Sequence, residues 1–489
     1  MYKLAHIGPN NRREPQDGRP EPPAPAADLY PPRTERQRVE DFLTRELISA
    51  NESLTKGSVV PTHDLEVFRR ELAEFDFRVP QPLQKSLEWT IAQMKHGLVH
   101  VNHPRYFGLF NPAPTFPAQC ADRIVASFNP QLATFTTSPA AVEIEAHVIC
   151  AVAQRAGFAP GVGGHFTTSG SEANYTALLC ALTRSNPQFG SEGARSFKGP
   201  PVFYVSRESH LAWLKIAHQV GLGRSAVRLI ATDGSGRMSA SALEATLNRD
   251  LADGCIPTMI VSTAGTTNAG MIDPISACSE LARKHELWHH VDAAWGGALV
   301  ASEVLRPALA GIERADSVTI DAHKWFATTM ACGMFITQHP QVLSSTFQVS
   351  TTFMPSNLAS LDPYVTTVQW SRRFSGLRLF LSLAAAGWSG YARHVERAVE
   401  LAALLRAGLI ADGWSMINES PLAVLCFRPA EGSGQVKSIV NRVLATGRAW
   451  VAAAMFEGDG VIRACLTHGE TAPEDVFALV QVLRSCADM

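Results

Sequence analysis

The sequence lacks the marks of several large protein classes. Its nine cysteines are scattered from Cys120 to Cys486 without a C-x-x-C pair, which argues against a zinc knuckle or a disulfide framework and suits a reducing, cytoplasmic setting. No apolar run approaches the roughly 18 residues of a membrane span. The N-terminal residues carry arginine and proline where a signal peptide would need an apolar stretch. A formal net charge of −2, with only 18% charged residues, leaves no basic field for nucleic acid or anionic lipid. There is no internal repeat. A small polar substrate is the partner that this balance favours.

What is present is length and apolar content, 489 residues of which 46% are hydrophobic, enough for a large core built from several folding regions. Residues 1–35 are rich in proline and charge, cannot bury enough apolar surface to offset ordering entropy, and are expected to form a flexible arm. Residues 36–114 read as a helical segment, with Val39, Phe42, Leu43 and Leu47, then Leu83, Leu87, Ile91 and Met94, at helical spacing. In 115–376, short apolar runs (Val202 to Val205, Met259 to Val261, Trp288 to Val291, Val318 to Ile320, Met334 to Ile336) alternate with helical patterns. That alternation predicts an α/β domain with a mainly parallel sheet and ligands at the carboxyl ends of its strands. Residues 377–489 read as long helices (Leu377 to Ala386, Tyr391 to Leu409) and a few strands (Ala423 to Arg428, Gly460 to Cys465), expected as a smaller α+β domain.

Several strand ends carry polar side chains that make sense together. After the run Val318 to Ile320 come Asp321, His323 and Lys324. A lone lysine there is ordinarily a solvated loop residue. In a crevice that lowers its pKa, it can instead form an imine with a cofactor aldehyde, as pyridoxal phosphate (PLP) chemistry requires. Asp292 follows the run Trp288 to Val291, where it is either a turn or cap residue or a carboxylate that keeps a pyridine nitrogen protonated. Ser169, Gly170 and Ser171 open a helical pattern, as an ordinary N-cap would, or as backbone N–H groups and hydroxyls suited to a phosphate dianion. His210 opens another helical stretch after Phe203 to Ser206, and is a structural hydrogen-bonder or a ring that stacks on a cofactor. The segment Ser262 to Asn268, with Asp273, offers further hydroxyls or an uncommitted polar loop.

Taken in order, these blocks resemble the PLP-dependent group II amino-acid decarboxylases, the family of aromatic-L-amino-acid and glutamate decarboxylases. The matching stretches are His103-Pro-Arg-Tyr-Phe-Gly108, Ser138-Pro139 with Glu143 and Glu145, Ser169-Gly-Ser-Glu172, His210, Gly265-Thr-Thr267, His290-Val-Asp-Ala-Ala294 and Ala322-His-Lys-Trp325, spread from about residue 35 to the C-terminus. The resemblance implies fold type I and PLP bound on Lys324, with Asp292 on the ring nitrogen and His210 stacked on the ring. It also implies phosphate contacts from Ser169, Gly170, Ser171 and His323 near Asp321, and Thr267 and Ala294 along the ring. A homodimer with active sites at the interface and exchanged N-terminal helices is implied as well.

Substrate and product are less constrained. By the same resemblance, Phe110, Asn111, Pro112, Gln131, Ala133 and Trp295 fall in the substrate pocket, and the amides of Asn111 and Gln131 disfavour a strictly aromatic substrate. Relatives carry a proton-donating tyrosine in a loop after the lysine, where this chain has Phe353. The expected reaction is decarboxylation of an L-amino acid to the amine. The alternatives are oxygen-dependent conversion to an aldehyde, an aminotransferase, or a catalytically silent protein of this fold. His285-Glu-Leu-Trp-His289 matches the zinc pattern HExxH, but the helical period stops near Leu287, so the two histidines should not share a helix face and no metal is expected.

Overall fold

A computed structural model describes residues 29–349 and 362–488. Residues 1–28 of the expected arm, and Phe353, lie outside the described residues. Helix α1 (Arg33–Leu54) begins right after Pro31 and Pro32, so residues 33–35 are helical rather than part of that arm. No helix among the described residues is long and apolar enough to cross a membrane.

The chain divides into two compact units. The smaller holds most of α1, with α2 (Leu65–Ala73) and α3 (Leu83–His96). Asp64 caps α2 by accepting the N–H groups of Glu66 and Val67. The Trp89 ring of α3 packs on Phe68 and Phe75, and its indole N–H donates to Glu71 at 2.9 Å. α2 and α3 contain no buried residue, so this unit leaves wide apolar surface uncovered.

The larger unit covers residues 54–61 and everything from 99 onward. Its main sheet is formed by β1 (Gly163–Thr167), β2 (Pro201–Ser206), β3 (Val227–Ile230), β4 (Ile256–Thr263), β5 (Trp288–Asp292), β6 (Ser317–Asp321) and β7 (Gly333–Thr337). The strand order is β1-β7-β6-β5-β4-β2-β3. Neighbouring strands from β3 to β6 are parallel, and β7 runs antiparallel to both β6 and β1. The polar ends Thr167, Ser206, Thr263, Asp292 and Asp321 therefore all emerge along one edge. A second sheet, ordered β10-β11-β9-β8, consists of β8 (Trp414–Met416), β9 (Val424–Pro429), β10 (Ala452–Phe456) and β11 (Asp459–Cys465). Strand runs legible in the sequence recur here, while β1, β3, β8 and β10 were not among them.

Two expected boundaries are revised. Residues 99–114 join the larger unit rather than the N-terminal helices, because the Phe107 N–H donates to the Trp450 carbonyl and the Cys465 N–H to that of Phe107. Residues 377–489 are not a separate compact unit. One apolar core runs from Val291 and Leu299 through Leu405 to Phe427 and Leu479, so no break falls near 376. The helix Gly376–Ala411, interrupted at Gly387, is fastened to α4 (Phe116–Phe128) by Arg378 on Asp122 at 2.8 Å, and α5 (Pro139–Arg155) follows α4 in the chain.

Candidate active site

Side chains from five strand ends converge on a cavity of about 210 Å³ at the carboxyl edge of the sheet. Phe110, Ser169, Gly170, Ser171, Asn174, His210, Thr263, Gly265, Thr267, Asp292, Ala294, Trp295, Asp321, His323 and Lys324 line it. β6 ends at Asp321, the next turn brings Lys324 back over it, and Lys324 Nζ lies 3.1 Å from Asp321 Oδ2. The other carboxylate oxygen, Asp321 Oδ1, is buried without a partner among the described residues. His323 faces the same acid at 3.7 Å and places Nδ1 3.0 Å from the Cys332 carbonyl.

One strand over, Asp292 is 4% exposed. Its Oδ2 accepts the Asn174 amide N–H at 2.8 Å and its Oδ1 the Ala294 N–H at 3.2 Å. Both oxygens act as acceptors, the arrangement that suits an ionised carboxylate. Opposite, α6 (Gly170–Ser185) starts in the cavity wall, and Ser169 makes no cap bond to it, so the first N–H groups of the helix and the serine hydroxyls are available to an anion. Gly170 is demanded by space, since a Cβ there would sit 2.8 Å from Asp321 Oδ2. Gly265 needs its positive φ of +102°, and a Cβ would come within 3.0 Å of Trp295.

His210 follows β2 with an exposed side chain at the cavity and accepts the Ala212 N–H at Nδ1. Partial desolvation by the surrounding cavity walls, despite that exposure, holds its pKa below the usual imidazole value, the carboxylate of Asp292 opposes that, and the Lys324 ammonium adds to it. Ser209, beside it, is tied to Thr263 at 2.7 Å. Asp273 is fully buried, which raises its pKa to about 7, and it accepts the Thr263 and Met238 N–H groups, fixing the loop that carries Gly265 and Thr267.

Every cofactor residue expected from sequence thus meets the others in one cavity. The substrate residues divide. Phe110 and Trp295 line the cavity with ring centroids 4.5 Å apart. Asn111, Pro112, Gln131 and Ala133 do not line it. Beyond Phe110 the chain runs past the post-lysine turn, Thr115 N–H donating to the Ala327 carbonyl, while Gln131 and Ala133 are bound to the segment 364–373 through Ser371 and Tyr364. Sequence order could not show that path. Two residues were not singled out in the sequence: Asn174, which lines the cavity, and Arg463, which does not line it but packs on Phe110, which does. Asn174 stands one helical turn after Gly170, a spacing that could have revealed it. Arg463 on β11 is 3% exposed, stacks 4.3 Å from the Phe110 ring centroid, and leaves Nε and Nη2 unpartnered among the described residues. No local motif marks it.

The residues of the HExxH pattern do not share a helix. The helix Ile275–Lys284 ends before His285, and His289 lies within β5. Among the described residues no group of three or more His, Cys, Asp or Glu could hold a metal ion. A strand-end lysine, an opposing carboxylate and an anion-ready helix start within a glycine-lined cavity fit an aldehyde-bearing pyridine phosphate.

The profile of the pyridoxal-dependent decarboxylase conserved domain matches residues 74–430. An aromatic-L-amino-acid decarboxylase of Bacillus atrophaeus is 26% identical over 449 residues, 89% of this chain and 92% of that protein. A human cysteine sulfinic acid decarboxylase is 31% identical over 367 residues, 73% of each. The crystal structure of Catharanthus roseus tryptophan decarboxylase with L-tryptophan shares the fold, with a TM-score of 0.84 and 22% identity, covering 96% of this chain and 99% of that one. Cavity and comparisons together place the chain in the pyridoxal-dependent decarboxylase family, as a PLP-dependent amino-acid decarboxylase.

Proposed function

We propose that this enzyme decarboxylates an L-amino acid with an anionic or polar side chain to its amine, with Lys324 as the cofactor anchor. The observation that carries the reading is the placement of Lys324 Nζ 3.1 Å from Asp321, in the cavity that Asp292 also lines. When bound, PLP supplies a ring that accepts the electron pair left as CO2 departs. Asp292 holds a proton on the ring nitrogen, which stabilises that charge as it develops. Ser169, Gly170 and Ser171 at the start of α6, with His323, hold the phosphate dianion. Asp321 keeps the Lys324 ammonium in place before the cofactor is attached. Thr267 and Ala294 would border the ring, and His210, whose pKa is held below the usual imidazole value, would face it.

Arg463 supports the anionic side chain. A buried guanidinium with unused N–H groups beside Phe110 is suited to a carboxylate or sulfinate. The human relative is named for such a substrate, cysteine sulfinic acid. A second reading rests on Phe353 alone: where a tyrosine would supply a proton, Phe353 has none to give, and one O2 and one water per amino acid would then yield the aldehyde, ammonia, CO2 and hydrogen peroxide. Incubating the purified enzyme with a panel of L-amino acids, while recording CO2, amine and peroxide, tests both. CO2 with matching amine is expected. Peroxide matching the CO2 establishes the second reading, and keto acid without CO2 would contradict both.

A homodimer is part of the proposal, supported by exposed apolar side chains such as Leu47, Ile48, Phe77 and Leu83. There Asn111 and Gln131, outside one chain's cavity, are candidates to complete a partner's site, whereas Pro112 and Ala133 are buried within their own chain. Nine free cysteines suit a reducing cytoplasm.

A further inference from the structure

Asp292 does not stand alone. On β5 the residues Trp288, His290 and Asp292 alternate onto one face, as period-two geometry requires, and α6 lays Asn174 against them. The contacts run without a gap. The Trp288 indole nitrogen is 2.8 Å from Ser317 Oγ, which is 2.8 Å from His290 Nδ1. His290 Nε2 is 3.0 Å from Asn174 Oδ1 and 3.2 Å from Thr319 Oγ1, and the Asn174 amide reaches Asp292 Oδ2 at 2.8 Å. None of the linking side chains is more than 2% exposed, so water cannot substitute for any link.

The two ends fix the direction of every bond. An indole N–H can only donate, and a carboxylate can only accept. Asn174 turns its N–H to Asp292, so its oxygen must accept the Nε2–H of His290. A neutral imidazole carries one N–H, so His290 Nδ1 must accept the Ser317 hydroxyl, whose oxygen takes the Trp288 N–H. Burial lowers the His290 pKa to about 3, which keeps the ring neutral as the pattern demands.

We propose that Trp288, Ser317, His290 and Asn174 form a positioning chain whose donors all point toward Asp292. The chain holds that carboxylate aimed at the cofactor ring nitrogen; this rests on the role given to Asp292 above. His290 and Asn174 are positioning residues that touch no substrate. A packing role for the same side chains would be indifferent to the nature of the ring atom facing Asp292.

That difference gives the test. The full-length protein is stripped of cofactor and titrated with PLP, and separately with the 1-deaza analogue whose ring nitrogen is a C–H, each followed by visible absorbance and tryptophan fluorescence. Asn174→Leu and His290→Phe are expected to weaken PLP roughly ten- to hundredfold, the scale of a lost hydrogen bond to a charged group. The analogue should weaken by less than about threefold. Asn174→Asp is nearly isosteric, sets a like charge on Asp292, and serves in place of Asn174→Leu if that variant does not fold. His290→Gln can accept at its carbonyl and donate at its amide, and should keep PLP affinity close to that of the parent. Equal losses for both compounds, or no loss for either, would overturn the chain. Asp292→Ala run alongside separates the two claims. If it discriminates between the compounds while the chain variants do not, only the chain fails, and if it does not, the role of Asp292 fails as well.

Discussion

The two edges of the main sheet carry similar side chains and do different things. At the amino edge a groove of about 1530 Å³ is lined by Arg184, Glu244, Lys284, Glu313, Arg314 and Asp316 among others, far more charge and space than the 210 Å³ cavity at the carboxyl edge. Its charges are largely satisfied by one another. Lys284 meets Glu244 at 2.7 Å, and Asp316 accepts from the His289 N–H and lies 2.7 Å from His339 Nε2. At the carboxyl edge an acid keeps one oxygen unpartnered beside a lysine, another acid is held by amide and backbone, and a helix start faces both. Size and charge count do not mark the reactive edge; polar groups left unfinished in a buried place do.

The largest expected effect sets two lysines against each other. Lys324→Ala should cut decarboxylation on the order of 10³-fold or more, as removal of a covalent anchor does, while Lys284→Ala leaves the rate unchanged. Comparable losses would erase the distinction between the edges. Next come the acids. Asp292→Ala should lower kcat by roughly 10² to 10³, the loss of one preorganised electrostatic partner. Asp316→Ala should cost about 1–2 kcal/mol of stability through the hydrogen bonds it accepts and leave kcat alone, as denaturant melts and steady-state kinetics will show.

Arg463→Met is expected to raise KM about ten- to hundredfold for the anionic substrate with a smaller change in kcat, the signature of lost binding to a charged group. An unchanged KM would remove the argument for an anionic side chain.

Acid should weaken the fold through groups at both edges. Burial lowers the pKa values of His165 and His290 to about 3 and of His289 and His394 to about 4. These rings stay neutral in the folded chain and bind protons on unfolding below about pH 6.5. Stability is therefore full above pH 6.5 and falls toward pH 4, each ring contributing roughly 1.4 kcal/mol per pH unit. Asp273, raised to about 7, works in the opposite sense over the same range and offsets one of the four. A denaturation midpoint flat between pH 7 and 4.5 would contradict this burial. The smallest effect is expected from metal removal: EDTA, or added zinc, should change neither activity nor melting, because His285 and His289 lie on different elements.

Much of this was legible in the sequence, for a physical reason. Strands buried on both faces read as apolar runs, and the polar residue that ends each run marks the edge where parallel strands open onto ligand, so position places Asp292, Asp321 and Lys324 at that edge, while the roles given to them came from the order of the motifs taken together. The edges of the main sheet were not legible: β1 begins with Gly163 and Gly164, and β3 is only half buried, so neither yields a continuous apolar run. Arg463 was hidden because its meaning comes from Phe110, more than 300 residues away, and nothing around it on β11 signals a ligand. Asn111, Pro112, Gln131 and Ala133 rest on the resemblance of short segments, which carries no information on where the chain turns.

The most direct test of the account is to trap the cofactor. The PLP-loaded enzyme is reduced with borohydride, digested, and its peptides sequenced by mass spectrometry. The account predicts the phosphopyridoxyl mass on Lys324 and on no other lysine. The same mass on Lys284 or elsewhere, with Lys324 unmodified, would contradict it.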